Sequence, residues 1–204
     1  MIRARLFALA IFAFALAALG DTATAQPLKP AATISCEACH GINGDSPKIE
    51  IPRLNGQQSA YMRARLQEFQ DPTRSTPHSN KMMGANAAGM DDADAAALAD
   101  YFGQQTPTQP SSRGPLAEAG RKIFEEGAGP LIPGPLIPPC VTCHGQNGQG
   151  LGEVPRIAGQ HKDYLNRQLQ AFMLGIRVGT PMNSHAWAMT REQVRAVAAF
   201  LSNN

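Results

Sequence analysis

The 204-residue sequence predicts an all-α protein built from two tandem copies of one small helical unit. Three observations carry that expectation. A set of residues in the first half recurs, in order, in the second. The apolar residues that follow each set keep the i, i+3/i+4 spacing of helices, and no run alternates apolar with polar residues as a half-buried strand would. Composition agrees with a small, loop-rich protein: 43% hydrophobic and 17% charged residues, 19 glycines, 16 prolines and only 6% aromatics. That balance excludes a disordered acidic tail, a coiled coil, a collagen and a multi-span membrane protein. The formal net charge of +2 is too small to call for a polyanionic partner, so no nucleic acid is expected. Two cores with so few aromatic side chains need something else to fill them.

The chain opens on an address. Arg3 and Arg5 precede an apolar run from Leu6 to Leu19, and the small-residue triplet Ala23-Thr24-Ala25 follows. This is the layout of a secretory signal peptide over residues 1–25, cut after Ala25. The run is shorter than the roughly 18 residues of a membrane span, so the mature chain is expected to be exported and soluble. Cleavage leaves 16 basic and 15 acidic residues, unevenly spread: 7 basic against 9 acidic over 26–109, and 9 against 6 over 110–204. Such a dipole orients charged partners at low salt.

The first unit is placed at 26–105. Its start, Gln26 to Ser35, is interrupted by Pro27 and Pro30, so an opening helix is short or missing. Cys36-Glu37-Ala38-Cys39-His40-Gly41 follows, then Pro52-Arg53-Leu54-Asn55-Gly56-Gln57. Tyr61, Met62, Arg65, Leu66 and Phe69 mark a helix, and Asp91 to Phe102 marks a closing one with Asp91-Asp92 as cap chemistry. Residues 106–114 read as a linker by their Pro, Ser, Thr and Gln content. The second unit, 115–204, begins with a helix from Ala117 to Glu126 that the first lacks. It also carries an insert, Gly129 to Pro138, in which Gly-Pro-Leu-Ile-Pro occurs twice, read as an apolar flap over a cofactor edge. Then the pattern repeats. Cys140-Val141-Thr142-Cys143-His144-Gly145 lies 104 residues after its counterpart, and Pro155-Arg156-Ile157-Ala158-Gly159-Gln160 lies 103 after its own. Tyr164, Leu165, Leu169 and Phe172 mark the second long helix, and Thr190 to Leu201 the last.

Cys-x-x-Cys-His is the attachment signature of a c-type haem. Two thiols three positions apart on one helical turn can each add to a vinyl group of one porphyrin, and the following His is carried under the iron. Two such motifs in matching repeats, behind an export signal, predict two covalent haems held by Cys36, Cys39, Cys140 and Cys143, with His40 and His144 as iron ligands. A zinc site would not need a His directly after each pair. A dithiol redox motif expects a strand before it, and cysteines three apart in a helix rarely form a disulfide. For the opposite face of iron the candidates are Met82, Met83, Met90 and His78 in the first unit, and Met182, Met189 and His185 in the second. Only Met83 and Met182 are equivalent while lying outside the closing helix; Met90 and Met189 open it and look like core. His/Met coordination favours reduced iron and leaves no position for a substrate, which means electron transfer rather than catalysis. The carbonyls of Pro52 and Pro155 are expected to accept from the ligating histidines. Arg74 and Arg177, or Tyr61 and Tyr164, are candidates for the haem propionates; otherwise they are solvated arginines and half-buried core tyrosines. Trp187 and His161 are unrepeated and carry no assignment.

On these residues the sequence resembles the two-haem cytochrome c4 family of class I cytochromes c, over nearly all of the mature chain. The resemblance implies two His/Met haems in tandem all-helical cytochrome c domains, packed with pseudo-two-fold symmetry and with the haems near the interface. It implies a carrier of single electrons in the periplasm, peripherally associated with the membrane. Its partners would be redox proteins: a terminal oxidase, a quinol-oxidising complex or a flavoprotein. The missing first helix and the Gly129–Pro138 insert depart from the family pattern. They keep a second reading open, the haem subunit of a flavocytochrome c sulfide dehydrogenase.

Overall fold

The computed structural model describes residues 29–71, 79–129 and 136–202. Each half is a short run of helices in the same order. A helix carries the cysteine pair (Thr33–His40; Val141–His144), a long loop leads to a second helix (Ser59–Gln70; Lys162–Met173), and a short helical turn follows. That turn is π-helical Asn80–Gly84 running into Ala85–Ala87 in the first half and Met182–Trp187 in the second. A closing helix ends each half (Asp92–Gly103; Arg191–Leu201), and among the described residues the second half alone has an opening helix, Pro115–Glu126. Among the described residues β-pairing is limited to isolated bridges such as Ala128 with Ile137.

Local chemistry explains the boundaries. The Asp91 carboxylate accepts from the Asp94 amide at 2.8 Å, and Thr190 forms a reciprocal capping box with Gln193, so both residues are caps just outside their helices. The opening helix starts two residues earlier than its apolar pattern suggests, because Pro115 is favoured in a first turn, where its missing N–H costs nothing. Gly41 and Gly145 end the cysteine helices at φ +78° and +79°. A Cβ at Gly41 would lie 2.2 Å from the Asp45 carbonyl oxygen, so the residue after each motif histidine has to be glycine for the chain to turn there.

The two cores differ as the sequence implies. In the second half the opening and closing helices cross with Gly120 against the Ala196 backbone, and Phe124, Leu165, Val194, Val197 and Leu201 form the buried cluster. Ile137, at the base of the insert, joins that cluster and pairs with Ala128 through two 3.0 Å backbone bonds. The insert's tip, where the flap is expected, lies outside the described residues. In the first half no helix precedes Thr33 among the described residues. The closing helix instead sends Tyr101 to the cysteine helix, where its hydroxyl donates to Asn43 Oδ1 at 2.9 Å beside the Lys29–Glu37 ion pair.

The halves join through their repeated Pro-Arg-x-x-Gly-Gln segments. Gln57 bonds to the backbone of Arg156, and Gln160 bonds to the backbone of Arg53, the same contact made twice in opposite directions. This is the mark of a two-fold relation between the units. The linker is threaded into the same place: Asn55 donates to Thr106 and Thr108, and Arg156 donates to the Thr108 carbonyl.

Candidate functional site

The two motif histidines are buried, each only 7% exposed. His40 Nδ1 donates to the Pro52 carbonyl at 2.8 Å and His144 Nδ1 donates to Pro155 at 3.0 Å, as the repeat implied. Each ring is thereby fixed in the tautomer that presents Nε2 to a metal. Burial lowers both pKa values, against the opposing pull of the carbonyl bonds. Both rings are therefore held neutral, the form that ligates.

The four cysteines are unpaired, so the disulfide alternative is not what the structure holds. Cys39 and Cys143 are exposed, while Cys36 and Cys140 are half-buried on the inner side of their turns. Burial pushes the Cys140 thiol up to about 11 and raises Cys36 as well. Among the described residues no group of three His, Cys, Asp or Glu side chains is arranged to hold a metal ion.

The methionines separate by burial. Met83 is half-buried in its π-helical turn, whereas its neighbour Met82 is 52% exposed. Met182 is half-buried at the first position of Met182–Trp187. Met189 is a core residue packed with Leu165 and Val194, and Met90 packs against the Leu98–Phe102 cluster. His185 lies close enough for its charge to be felt at His144. His78 and Arg74 lie outside the described residues.

Between the units stands a polar cluster that fits an acidic prosthetic group. Arg177 is buried, stacks on Phe172 at 4.5 Å, and donates to Tyr61 Oη of the other unit at 3.0 Å and to Gln168 at 2.5 Å. Its Nε is buried with no hydrogen-bond partner among the described residues. A buried guanidinium without a carboxylate is costly unless an anion joins it, and a porphyrin brings carboxylates. Burial pushes the nearby Tyr164 up to about 12; at Tyr61 the two arginines, Arg177 and Arg65, outweigh burial and lower it. Arg177 is thus neither solvated nor confined to its own unit, which corrects the simpler alternative for it.

His161 was missed by the repeat. It is buried, and its Nε2 donates across the interface to the Ser46 carbonyl at 2.9 Å. A histidine with no counterpart in the other unit was the available signal. Trp187 remains 64% exposed.

Two covalently bound haems, attached through Cys36/Cys39 and Cys140/Cys143, satisfy this arrangement, and it defines a diheme c-type cytochrome. The cytochrome c family matches residues 29–106 and again 117–204. Cytochrome c-552 of Acidithiobacillus ferridurans is 38% identical over 92% of this chain and 80% of its own length. Cytochrome c4 of Azotobacter vinelandii is 32% identical over 90% and 89%. The solved structure of Acidithiobacillus ferrooxidans cytochrome c4 superposes with a TM-score of 0.74 at 38% identity, covering 83% of this chain and 98% of that one. The chain belongs to the cytochrome c4 family. It is a diheme electron carrier, not an enzyme, and it works by exchanging electrons with redox partners.

Proposed function

We propose that the mature chain is a periplasmic shuttle of single electrons, with His40 and Met83 on one iron and His144 and Met182 on the other. In this reading residues 1–25 are the export signal, 26–105 and 115–204 are the two haem domains, and 106–114 connects them. The bound haems supply one-electron Fe(III)/Fe(II) chemistry. The chain's own residues anchor each ring through two thioethers, orient the imidazole through Pro52 or Pro155, and keep water from the iron. The observation that carries the reading is the matched placement of Met83 and Met182: both half-buried, both in the turn before the closing helix, while Met82 faces solvent and Met90 and Met189 pack into cores.

The donor is a quinol-oxidising complex or a flavoprotein and the acceptor a terminal oxidase, met at the membrane surface. The uneven charge of the two units supports orientation by such partners. Replacing Met83 with Ala, and separately Met182 with Ala, tests the ligation. Each variant is expected to lose half of the thioether-to-iron charge-transfer band. A variant that keeps the full band has another ligand. Purification tests the role: a shuttle is recovered alone, whereas a subunit of a sulfide-oxidising flavocytochrome would bring flavin with it.

A further inference from the structure

The contacts between the units lead from one motif histidine into the opposite domain. His40 Nδ1 donates to the Pro52 carbonyl at 2.8 Å. The other end of that same peptide group is the Arg53 N–H, which donates to Gln160 Oε1 at 2.9 Å. The second unit repeats the chain in reverse. His144 Nδ1 donates to the Pro155 carbonyl at 3.0 Å, and the Arg156 N–H of that peptide donates to Gln57 Oε1 at 2.7 Å.

Each glutamine is itself locked. Gln160 Oε1 also accepts from the His161 amide at 3.0 Å, and Gln57 Oε1 from the Gln58 amide at 2.9 Å. Their Nε2 groups return to the same arginines, Gln160 to the Arg53 carbonyl at 3.0 Å and Gln57 to the Arg156 carbonyl at 2.8 Å. Gln160 is 7% exposed, so water does not compete freely for these bonds.

We propose that Gln57 and Gln160 are positioning residues that act across the domain boundary, each setting the electron-donating strength of the other unit's histidine and so part of the other unit's potential. The inference rests on His40 and His144 being the iron ligands. A peptide whose N–H is held by an acceptor has a more negative carbonyl oxygen, because bonds in a chain polarise one another. The stronger carbonyl draws harder on Nδ1–H, and a ligand whose second nitrogen is so held is more basic. A more basic imidazole stabilises Fe(III) over Fe(II). Each glutamine therefore lowers the potential of the haem it does not belong to. The polarisation is a fraction of one hydrogen bond, so the effect is modest.

The experiment uses the holoprotein with each haem's potential assigned by titration in the Met83→Ala and Met182→Ala backgrounds. Gln160→Met removes the acceptor at similar length. It is expected to favour reduction of the His40 haem about threefold, about 28 mV at 59 mV per tenfold, and to leave the His144 haem unchanged. Gln57→Met is expected to do the converse. Gln160→Glu keeps an acceptor and adds charge, and is expected to move the His40 haem the opposite way; it keeps the test open should the Met variant not fold. Amide exchange gives a second readout: Gln160→Met accelerates Arg53 and not Arg156. An equal shift at both haems, a larger shift at the glutamine's own haem, or no shift overturns the proposal, since a purely structural role would loosen both units. His40→Gly and His144→Gly test the ligand reading separately, each being expected to remove the imidazole-ligated low-spin spectrum of one haem.

Discussion

Gly120→Ala is expected to destabilise the second domain and to release the methionine–iron bond of its haem first. The added Cβ would stand 1.9 Å from the Ala196 carbonyl oxygen and 2.9 Å from Phe200 Cβ. Ordinary contact begins near 3.4 Å, so the opening and closing helices must part by roughly 1.5 Å, since a backbone carbonyl cannot rotate away. A gap of that size forfeits a large part of the dispersion contact along the crossing. Phe124, Val194 and Val197 all lie in that buried cluster. Overpacking of this kind costs about 3 kcal/mol at the upper end of its usual range. Alanine's better helix propensity returns somewhat less than 1 kcal/mol, leaving a net loss of about 2 kcal/mol. For a chain of this size that lowers Tm by about 4–8 °C. The assay is thermal unfolding of the holoprotein, followed by circular dichroism and by the thioether-to-iron band in a Met83→Ala background, where only the second haem reports. Gly129→Ala, with open space at its Cβ, serves as control and stays within about 0.5 kcal/mol. An unchanged or raised Tm in Gly120→Ala would refute the close crossing.

Other expectations follow from the same structure. His161 is held neutral by burial, with the Arg53 charge adding to the effect, so its pKa lies below the usual value. An unfolded chain takes up a proton below about pH 6.5 that the folded one refuses; stability therefore falls as pH drops from there, by up to about 1.4 kcal/mol per pH unit, and His161→Gln should flatten that slope in denaturant titrations at pH 5–7. Replacing the Leu6–Leu19 run with polar residues is expected to abolish haem incorporation, read by haem stain and spectrum; normal holoprotein would show that the run is not the export signal. The His144 haem is expected to have the higher potential, because its unit is the more basic and has the additional helix; a titration placing the higher potential on the His40 haem would show local packing overriding both. High salt should shrink the charge-dependent part of that difference and leave the remainder.

What could be read in the sequence was local or repeated. Each motif histidine directly follows its cysteine pair and lies within a dozen residues of its Pro52 or Pro155 carbonyl, and two copies in register made each one a check on the other. Met83 was separable from Met90, and Met182 from Met189, because the later methionine of each pair opens the closing helix. That no helix precedes Thr33 among the described residues was legible in Pro30. Other features depend on how two finished units dock, across more than a hundred residues of chain. His161 meets Ser46 at a separation of 115 residues and Arg177 meets Tyr61 at 116. His161 has no counterpart in the other unit, and the repeat of Arg74 with Arg177 and of Tyr61 with Tyr164 does not say that an arginine of one unit meets a tyrosine of the other. Gln57 and Gln160 were visible as a repeated pair, but their reach into the opposite unit needs the two-fold arrangement to be seen.

The interface is symmetric at its centre and less regular around it, and the two parts suit different tasks. The central contact, Gln57 with Arg156 and Gln160 with Arg53, treats the units as equals and runs directly to both motif histidines. The surrounding bonds use different residues in each direction. From the second unit His161 donates to Ser46, Arg167 to the Glu50 carbonyl at 2.8 Å and Arg177 to Tyr61; from the first Arg53 donates to the Gly159 carbonyl at 2.9 Å and Gln58 to the Gln149 carbonyl at 2.8 Å. Duplication alone would give two equivalent domains, and two equivalent haems have no preferred direction for an electron. Surrounding contacts made by different residues in each direction, a helix crossing described in the second unit, and opposite net charges all break that equivalence without touching the repeated ligands. A carrier built this way keeps one chemistry at both irons and varies only what surrounds them, which is the property that lets an electron enter at one unit and come to rest on the other.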